Sequence, residues 1–409
     1  MDILEQLTLP GVWQDFLQYK HEKQHLSVTE RKELESFIQE NRFSDAIKLA
    51  SPTFIPPLPE KKGINKDGIS KKRIVYSYPS DFNLLLKLIA FLLYRYDSLF
   101  AENCYAFRRN YGVSDAIKRI RSVKGLSAKY CLKVDISNYF NSIDIPLLLE
   151  QLSFLKEEDA TLYNLFEKLL TADAAMENGT LIQEKRGAMA GTPISPFFAN
   201  VCLMDTDRYF SENQVLYFRY SDDILLFADT LSELNDLKDI LYRRLDALHL
   251  SLNPGKVHIS LPGEPWEFLG FSYLNGQIDL SEHTLYKIKG KIRRKAHALR
   301  RWQQKKGLSG EKAAKGFIHA MNHKFYNDND DNSFTWSRWF FPNLTTTKGL
   351  KEIDAYMQQY IRYTVTGRHS KSNYRIRYEK LKEWGYRSLV HEYFIQSASA
   401  STPAPRVQP

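Results

Sequence analysis

Short apolar runs alternate with amphipathic stretches through the middle of the chain. Residues 131–134 predict a short buried strand, and residues 215–220 and 224–227 predict two more strands joined by the polar turn Ser221-Asp222-Asp223. Helical periodicity marks three further segments, residues 146–155, 196–210 and 232–248. Because strands and helices alternate, this part of the chain is predicted to be an α+β unit.

The residues before this unit predict helices and one basic hairpin. Residues 1–50 have a helical pattern, with Ser27 as a predicted helix cap. Residues 51–80 hold five prolines, two basic clusters and an alternating strand, so they predict a basic hairpin. Two apolar helices are predicted next, over residues 81–100 and from Val113 with Ser114 as its cap.

The residues after the unit are basic and helical. Between Lys287 and Lys324 there are thirteen Lys and Arg against one acid, Glu311, and apolar positions recur with a helical period. This imbalance favours a surface that binds a polyanion, although a solvated helix face is the alternative. A helical, aromatic-rich part continues to about residue 395, and the Ser-, Ala- and Pro-rich residues from 397 onward are predicted to be disordered.

Composition narrows the class of protein. The 409 residues suggest two or three subdomains, and a net charge of +9 favours nucleic acid as a partner. The three cysteines have no zinc or disulfide spacing, as expected of a reducing cytosol. No signal peptide is evident, and Lys87 interrupts the most apolar run, residues 84–94. A cytoplasmic protein without a membrane span is therefore predicted.

Three acids carry the chemistry. Asp222 and Asp223 lie side by side in a tight turn between apolar strands, where their mutual repulsion favours a bound cation, although a solvated turn is the alternative. Asp135 ends another apolar strand upstream. Phosphoryl transfer needs carboxylates from separate strands that hold two metal ions roughly 3.5–4 Å apart. The three acids are therefore predicted to bind two divalent ions.

Six motifs in order share their residues with one family. They are residues 105–109 with 114–117, 133–144, 187–200, the Tyr-Ser-Asp-Asp tetrad 220–223, residues 250–256, and Phe268-Leu269-Gly270-Phe271. In this order the chain resembles a bacterial reverse transcriptase related to those of group II introns and retrons. Met189-Ala190 depart from the family, which has Pro-Gln there, so a contact to the incoming nucleotide or template is lost.

The resemblance implies a right-hand polymerase, α+β in class, with fingers, an antiparallel palm sheet and a helical thumb. The expected domains are an N-terminal helical extension (1–50), fingers (51–130), palm (131–275, with a fingers insertion at about 156–190), a basic thumb with a C-terminal RNA-binding region (276–396) and a tail (397–409).

The resemblance also implies a role for each matched residue at the reaction centre. Asp135, Asp222 and Asp223 are expected to bind two Mg²⁺ ions, for which Mn²⁺ is expected to substitute, and Ile136 would lend its backbone carbonyl. Lys256 would donate a proton to pyrophosphate, or be a salt-bridged surface lysine.

Further residues are expected to bind substrate. Phe140 would exclude a ribose 2′-OH and so favour deoxynucleotides. The other residues expected to contact the incoming dNTP are Lys71, Arg73, Gly191 and Tyr220. The residues expected to contact the RNA template or the DNA product are Arg108, Lys291, Arg293, Arg294, Arg300 and Arg301.

Three C-terminal segments are similar to compact defence-associated reverse transcriptases of the class-two type. They are residues 336–342, residues 361–369 and residues 384–389. This similarity implies a role in antiphage defence, with a dedicated structured noncoding RNA as the template.

Four alternatives stay open from the sequence. An RNA-dependent RNA polymerase shares the acids, but Phe140 argues against it. A protein that binds RNA without polymerising it has little support, because all three acids are present. A polymerase that works without a template or primes from its own side chain is compatible with the many tyrosines, and so is a retroelement reverse transcriptase.

Overall fold

The computed structural model describes residues 1–23, 26–65, 72–326 and 335–401. Lys71, one of the residues expected to contact the dNTP, lies outside the described residues. The chain forms two compact units, residues 1–262 and 263–409.

The first unit begins with helices and the predicted basic hairpin. Three helices come first, α1 (Ile3–Gln6), α2 (Pro10–Lys23) and α3 (Val28–Gln39). Ser27 caps α3 as predicted, because its side chain accepts the amide of Glu30, whose carboxylate accepts the amide of Ser27. A 3₁₀ helix (Arg42–Ala50) leads to strands β1 (Glu60–Asn65) and β2 (Lys72–Ser77), which pair antiparallel.

The next part of the chain is mostly helical, with one strand among the helices. Their bounds are α4 (Ser80–Leu92), α5 (Val113–Ser122), α6 (Tyr139–Ser142), α7 (Ile145–Gln151), α8 (Leu155–Glu158) and α9 (Ala160–Thr171), with 3₁₀ turns at Leu93–Leu99 and Leu126–Ala128. Strand β3 (Tyr130–Asp135) lies between α5 and α6. Strands β4 (Ala174–Glu177) and β5 (Thr180–Gln183) complete a four-stranded sheet of order β2-β1-β4-β5.

A second sheet is wholly antiparallel and carries the acid motifs. It has the order β6-β7-β3-β8, in which β6 is Leu216–Tyr220, β7 is Asp223–Ala228 and β8 is His258–Ser260. Helices α10 (Ser195–Glu212) and α11 (Leu231–Ala247) pack against it. The apolar run of β7 from Ile224 to Ala228 is buried, as a central strand requires. The α+β class predicted from the sequence is confirmed.

The second unit has a small sheet and a helical part. Strands β9 (Trp266–Phe268), β10 (Phe271–Leu274) and β11 (Gln277–Leu280) form an antiparallel meander. The helices are α12 (Glu282–Lys306), α13 (Gly310–Phe325), α14 (Trp336–Phe340), α15 (Lys348–Thr366), α16 (Tyr378–Glu383) and α17 (Leu389–Ser401). Helices α12, α13 and α15 pack on one another, and Ile288, Ile292 and Ala296 give α12 its buried stripe.

Gly112, not the expected Ser114, is the residue that precedes α5. The first compact unit ends at residue 262, because β9–β11 pair among themselves in a sheet of their own, and the expected palm boundary at residue 275 stays a prediction. Helix α17 is described to Ser401, and the expected disorder of the tail from residue 397 stays a prediction.

Within the described ranges, helices long enough to cross a bilayer are all too polar to do so.

Candidate active site

Two neighbouring strands bring the predicted acids together. Asp135 is the last residue of β3 and lies directly opposite Asp223, the first residue of β7. Tyr220 of β6 also pairs with Asp223, so Ser221 and Asp222 alone form the hairpin turn between β6 and β7. Ser221 has a φ of 62°, a left-handed conformation suited to so tight a turn. All three acids therefore lie at one end of the sheet.

Main-chain hydrogen bonds fix the end of β3 against the turn. The amide of Ile136 donates to the carbonyl of Asp222 at 3.2 Å, and the amide of Asn253 donates to the carbonyl of Asp135 at 2.9 Å. Ile136, expected to lend its carbonyl to a metal, is itself almost fully buried. Main-chain hydrogen bonds from Ile136 and Asn253 thus hold the backbone at Asp222 and Asp135, and the pairing of β3 with β7 holds it at Asp223.

Burial makes the negative charges of the turn costly. Burial is the main cause that raises the pKa of Asp223 to about 6. Lys133 lowers this pKa, whereas the carboxylates of Asp222 and Asp135 raise it. Burial likewise raises the pKa of Asp222, with a smaller contribution from Asp135. A cation beside these oxygens would offset both effects.

Lys256 supplies one positive charge at this place. Its Nζ lies 2.5 Å from Oδ2 of Asp135, and its side chain is 54% exposed. The short 3₁₀ helix Pro254–Lys256 positions it, and the side chain of Asn253 accepts the amide of Gly255 at the start of that helix. Lys256 thus forms an ion pair with Asp135, as in the alternative of a salt-bridged lysine, and its role as a proton donor stays a prediction.

The donor set fits divalent metal ions. Oxygen ligands from carboxylates suit Mg²⁺ and Mn²⁺, and the raised pKa values of Asp222 and Asp223 show that the nearby lysines do not fully offset the cost of burying these two charges. In the part of the chain that the structure describes, no three His, Cys, Asp or Glu side chains converge as a ready metal cage. Asp135, Asp222 and Asp223 would hold such ions, which when bound would activate a hydroxyl and stabilise a leaving pyrophosphate.

Phe140 is held by backbone contacts from the motif that follows. Its ring is partly buried and packs edge-on against Phe107, with the ring centroids 6.1 Å apart. Its carbonyl accepts the amide of Ala188 at 2.7 Å. Gly187 permits this approach, because a Cβ there would lie 2.6 Å from the carbonyl oxygen of Phe140, and its φ is 55°. The ring therefore has a fixed place on α6.

Asn141 connects three segments, a role that sequence reasoning missed. Its Oδ1 accepts the amide of Ala190 at 2.9 Å, and its Nδ2 donates to the carbonyl of Ile74 at 3.2 Å. The carbonyl of Ala190 in turn accepts the amide of Tyr76 at 2.7 Å. The only signal in the sequence was an amide side chain directly after Phe140, the predicted steric gate against a ribose 2′-OH, and only the tertiary structure shows which segments Asn141 joins.

The departure at Met189-Ala190 is accommodated inside the protein. Met189 is fully buried, and its sulfur accepts a hydrogen bond from the hydroxyl of Tyr78 at 3.4 Å. Gly191, expected to let substrate approach, has a φ of 101°, and a Cβ there would lie 2.9 Å from the carbonyl oxygen of Tyr76. The glycine thus also lets β2 pack closely against this motif.

The remaining nucleotide-binding predictions fall in two places. Arg73 is exposed on β2, opposite Ile64 of β1. Tyr220 lies next to the turn, and burial raises the pKa of its hydroxyl. Arg73 is available to an anion in solvent, whereas Tyr220 is largely packed.

The prediction that Arg108 contacts nucleic acid is not supported by its position. Arg108 is 8% exposed, and its guanidinium donates to Asp97 and to the carbonyls of Ala101 and Cys104. Its charge is already paired inside the fold, so it is a structural residue here.

The basic residues of α12 divide into two groups. Lys291, Arg293, Arg294 and Arg301 are exposed, as a surface for phosphates requires. Arg300 is half-buried and donates from Nη1 to the carbonyl of Val365 at 3.1 Å, near the end of α15. Arg300 thus satisfies a helix C-terminus, which is a reason for its presence other than nucleic acid.

Sequence comparison decides the family. The profile described as "Reverse transcriptase (RNA-dependent DNA polymerase)" matches residues 60–273. The chain belongs to the reverse transcriptase family. With both acid motifs on one antiparallel sheet, the right-hand polymerase fold predicted from the sequence is confirmed.

One curated relative matches part of this reverse transcriptase. The chain is 33% identical over 105 residues to the Retron Ec83 reverse transcriptase of Escherichia coli, which is 24% of this chain and 32% of that protein. The chain thus spans about a third of the length of this curated relative.

Two solved structures are also similar to this reverse transcriptase. One is apo telomerase from Candida tropicalis truncated from its C-terminal domain, at 14% identity and a TM-score of 0.44, covering 56% of each chain. The other is telomerase from Candida albicans in complex with a fragment of telomeric RNA, at 12% identity and a TM-score of 0.43, covering 87% of this chain and 66% of that one.

Proposed function

We propose that this protein is an RNA-directed DNA polymerase that uses two divalent metal ions. The observation that carries the proposal is the register of the sheet β6-β7-β3-β8. This register sets Asp135 opposite Asp223 and beside the two-residue turn that contains Asp222. Carboxylates from two neighbouring strands, brought together at one end of a sheet, are what two-metal phosphoryl transfer needs. The family match over residues 60–273 supports the same reaction.

Deoxynucleotides are the proposed substrates. Phe140 lies five residues beyond Asp135 on the same connection, and its position is fixed by the contacts of Gly187 and Ala188. A bulky ring held in this way would collide with a ribose 2′-OH. Arg73, exposed on β2, would pair with the triphosphate, because a guanidinium matches phosphate oxygens.

The test of this proposal is DNA synthesis by the purified protein on an RNA template with a DNA primer, dNTPs and Mg²⁺. Asp222→Ala is expected to abolish synthesis, since one carboxylate of the site is lost, while binding of the same RNA stays within about threefold because RNA is held mainly by basic residues. Full synthesis by Asp222→Ala would sink the assignment. Synthesis in the absence of template would instead favour the template-independent alternative.

The proposed template is a dedicated structured noncoding RNA, and the proposed process is antiphage defence in the cytoplasm. The support is the similarity of residues 336–342, 361–369 and 384–389 to defence-associated enzymes. Sequencing of the nucleic acid that copurifies with the wild type and with Asp222→Ala/Asp223→Ala tests the template. One discrete RNA in both, with matching cDNA only in the wild type, is expected; heterogeneous cellular RNA would contradict a dedicated template.

The defence role needs a separate test. Cells that carry the gene with its neighbouring DNA are expected to resist phage, and the Asp222→Ala strain is expected to be sensitive. Equal phage plating on both strains would overturn the defence proposal and leave the polymerase proposal untouched. cDNA found covalently attached to the protein would favour priming from a side chain.

A further inference from the structure

A fully buried ion pair lies beneath the turn that carries Asp222. Arg219 and Asp207 are both 0% exposed. The guanidinium of Arg219 donates from Nε to Oδ1 of Asp207 at 2.7 Å and from Nη2 to Oδ2 at 2.5 Å. The hydroxyl of Tyr217 donates to the same Oδ1 at 2.9 Å. The carboxylate of Asp207, on α10, thus accepts two hydrogen bonds from the guanidinium and fixes its orientation.

The remaining face of the guanidinium reaches the turn itself. Nη1 of Arg219 donates to the carbonyl of Ser221 at 3.1 Å. Ser221 has a φ of 62°, which residues other than glycine, asparagine and aspartate seldom adopt, so a hydrogen bond to its carbonyl helps to keep the turn in this conformation. The bonded carbonyl belongs to the peptide group that leads directly into Asp222.

The same arginine also connects the turn to two other motifs. Its amide donates to the carbonyl of Asn103 and its carbonyl accepts the amide of Tyr105, both at 2.9 Å. Asn200, the last residue of the motif over residues 187–200, donates to the carbonyl of Ala106 at 2.8 Å, and its Oδ1 accepts from Nη1 of Arg219 at 3.4 Å. Arg219 thus bonds to Asn103 and Tyr105 through its main chain, while its guanidinium contacts Asn200 and the turn that carries Asp222.

Stability alone does not account for this arrangement. A buried ion pair costs its desolvation, and a well-packed apolar pair of similar volume is often as stable. An apolar pair could not, however, donate a hydrogen bond to the carbonyl of Ser221. The irreplaceable part of the pair is therefore its geometry.

We propose that Arg219, oriented by Asp207, is a positioning residue that holds the Ser221-Asp222 turn against the end of β3 and so places the Asp222 carboxylate for metal binding. The proposal rests on the proposed polymerase function. It assigns no contact between Arg219 and substrate, because Arg219 acts only through the backbone of Ser221.

The decisive variant is Arg219→Met/Asp207→Leu, which removes both charges together and leaves no unpaired buried ion. Its thermal midpoint is expected to fall only by the loss of one buried hydrogen bond, because the hydroxyl of Tyr217 loses its acceptor, and its affinity for template RNA is expected to stay near that of the wild type. Its kcat is expected to fall about 100-fold, the usual effect of a displacement near 1 Å at a reacting group, with KM for the dNTP little changed. Mg²⁺ without nucleotide should raise the thermal midpoint of both proteins, and the double variant is expected to need a higher Mg²⁺ concentration than the wild type for the same rise.

Two single variants complete the test. Tyr217→Phe removes another partner of the same carboxylate but leaves the bond to Ser221, so kcat and the Mg²⁺ requirement are expected to match the wild type. Arg219→Lys keeps the buried charge, but its single ammonium cannot span Asp207 and the Ser221 carbonyl, so it is expected to behave as the double variant does. If the double variant does not fold, Arg219→Lys decides.

The outcomes separate the two proposals. A wild-type protein that makes no DNA would contradict the proposed function, and the Mg²⁺-dependent thermal shift would still test the placement of Asp222. An active wild type whose Arg219 variants keep both kcat and Mg²⁺ requirement would overturn the role of Arg219. An equal loss in Tyr217→Phe would also overturn it, since the effect would then be general loosening of the core.

Discussion

The ammonium of Lys256 lies 2.5 Å from Oδ2 of Asp135, so the best-buried of the three acids already has a positive partner. The lysine side chain is 54% exposed, whereas Asp135 is 5% exposed. A flexible, solvated cation thus meets a fixed carboxylate. Because a metal ion would use the same oxygen atoms, Lys256 and the metal are expected to compete for Asp135.

Replacing Lys256 with Met tests this relationship. Without the ammonium, less Mg²⁺ should be needed to raise the thermal midpoint, because the competing charge is gone. The rate of nucleotide addition should nevertheless fall about 100-fold if the lysine donates a proton to pyrophosphate. Single-turnover kinetics and Mg²⁺ titrations measure the two effects separately.

Lys256→Arg is the matched control for that experiment. A guanidinium keeps the positive charge but does not release its proton in proteins. A rate near the wild type in Lys256→Arg would show that only charge matters, and the proton-donor role would be lost. A normal rate in Lys256→Met would remove Lys256 from catalysis altogether.

Phe140→Ala is expected to admit ribonucleotides. Removing the ring opens space for a 2′-OH, and losing a packing contact of this size typically changes discrimination about 10- to 100-fold. The measurement is the ratio of kcat/KM for a dNTP and the matching ribonucleotide. Phe140→Tyr keeps the bulk of the ring and should keep the exclusion; equal ratios in Phe140→Ala and the wild type would take the gate role from Phe140.

Gly187→Ala should displace Phe140 without altering the Phe140 side chain itself. A Cβ at Gly187 would lie 2.6 Å from backbone atoms of Phe140 and Asn141, so the chain must move. The left-handed φ adds roughly 1–2 kcal/mol of strain. We expect a lower denaturant midpoint and more ribonucleotide incorporation.

Gly125 provides the comparison for Gly187. Its φ is 69°, but a Cβ there would meet no atom within 4 Å. Gly125→Ala should therefore lose stability through strain alone and keep its nucleotide discrimination. If both variants discriminate equally well, the contact between Gly187 and Phe140 does not position the gate.

The sequence was informative about the site where chemistry dictates spacing. Adjacent acids in a turn and a third acid at a strand end were enough to predict that Asp135, Asp222 and Asp223 lie together, because apolar strands of this kind pair in one sheet. The supports of the site were not predictable in the same way. Asn141, Asp207 and Arg219 act through bonds between segments far apart in the chain, and no local pattern records such partners.

The same distinction explains the two arginines whose positions differ from expectation. A basic residue in a basic motif predicts a phosphate contact, yet Arg108 pairs with Asp97 inside the first unit and Arg300 donates to the end of α15. Charge is visible in the sequence, but burial depends on the packing of other elements. Exposed positions on α12 therefore carry the prediction of nucleic-acid binding better than the count of basic residues does.

Lys291→Gln/Arg293→Gln/Arg301→Gln tests this surface. All three residues are exposed on α12, and each phosphate contact contributes about one unit to the slope of log affinity against log salt concentration. The triple variant should bind an RNA–DNA duplex more weakly at low salt, with a slope smaller by up to about three. Fluorescence anisotropy over a series of KCl concentrations measures both.

Arg300→Gln is the control for the triple variant. It should lower the thermal midpoint and leave the slope unchanged, because the guanidinium of Arg300 donates to the carbonyls of Thr364 and Val365. A triple variant with the wild-type slope would show that α12 does not lie on the duplex, and the basic residues would then be a solvated face.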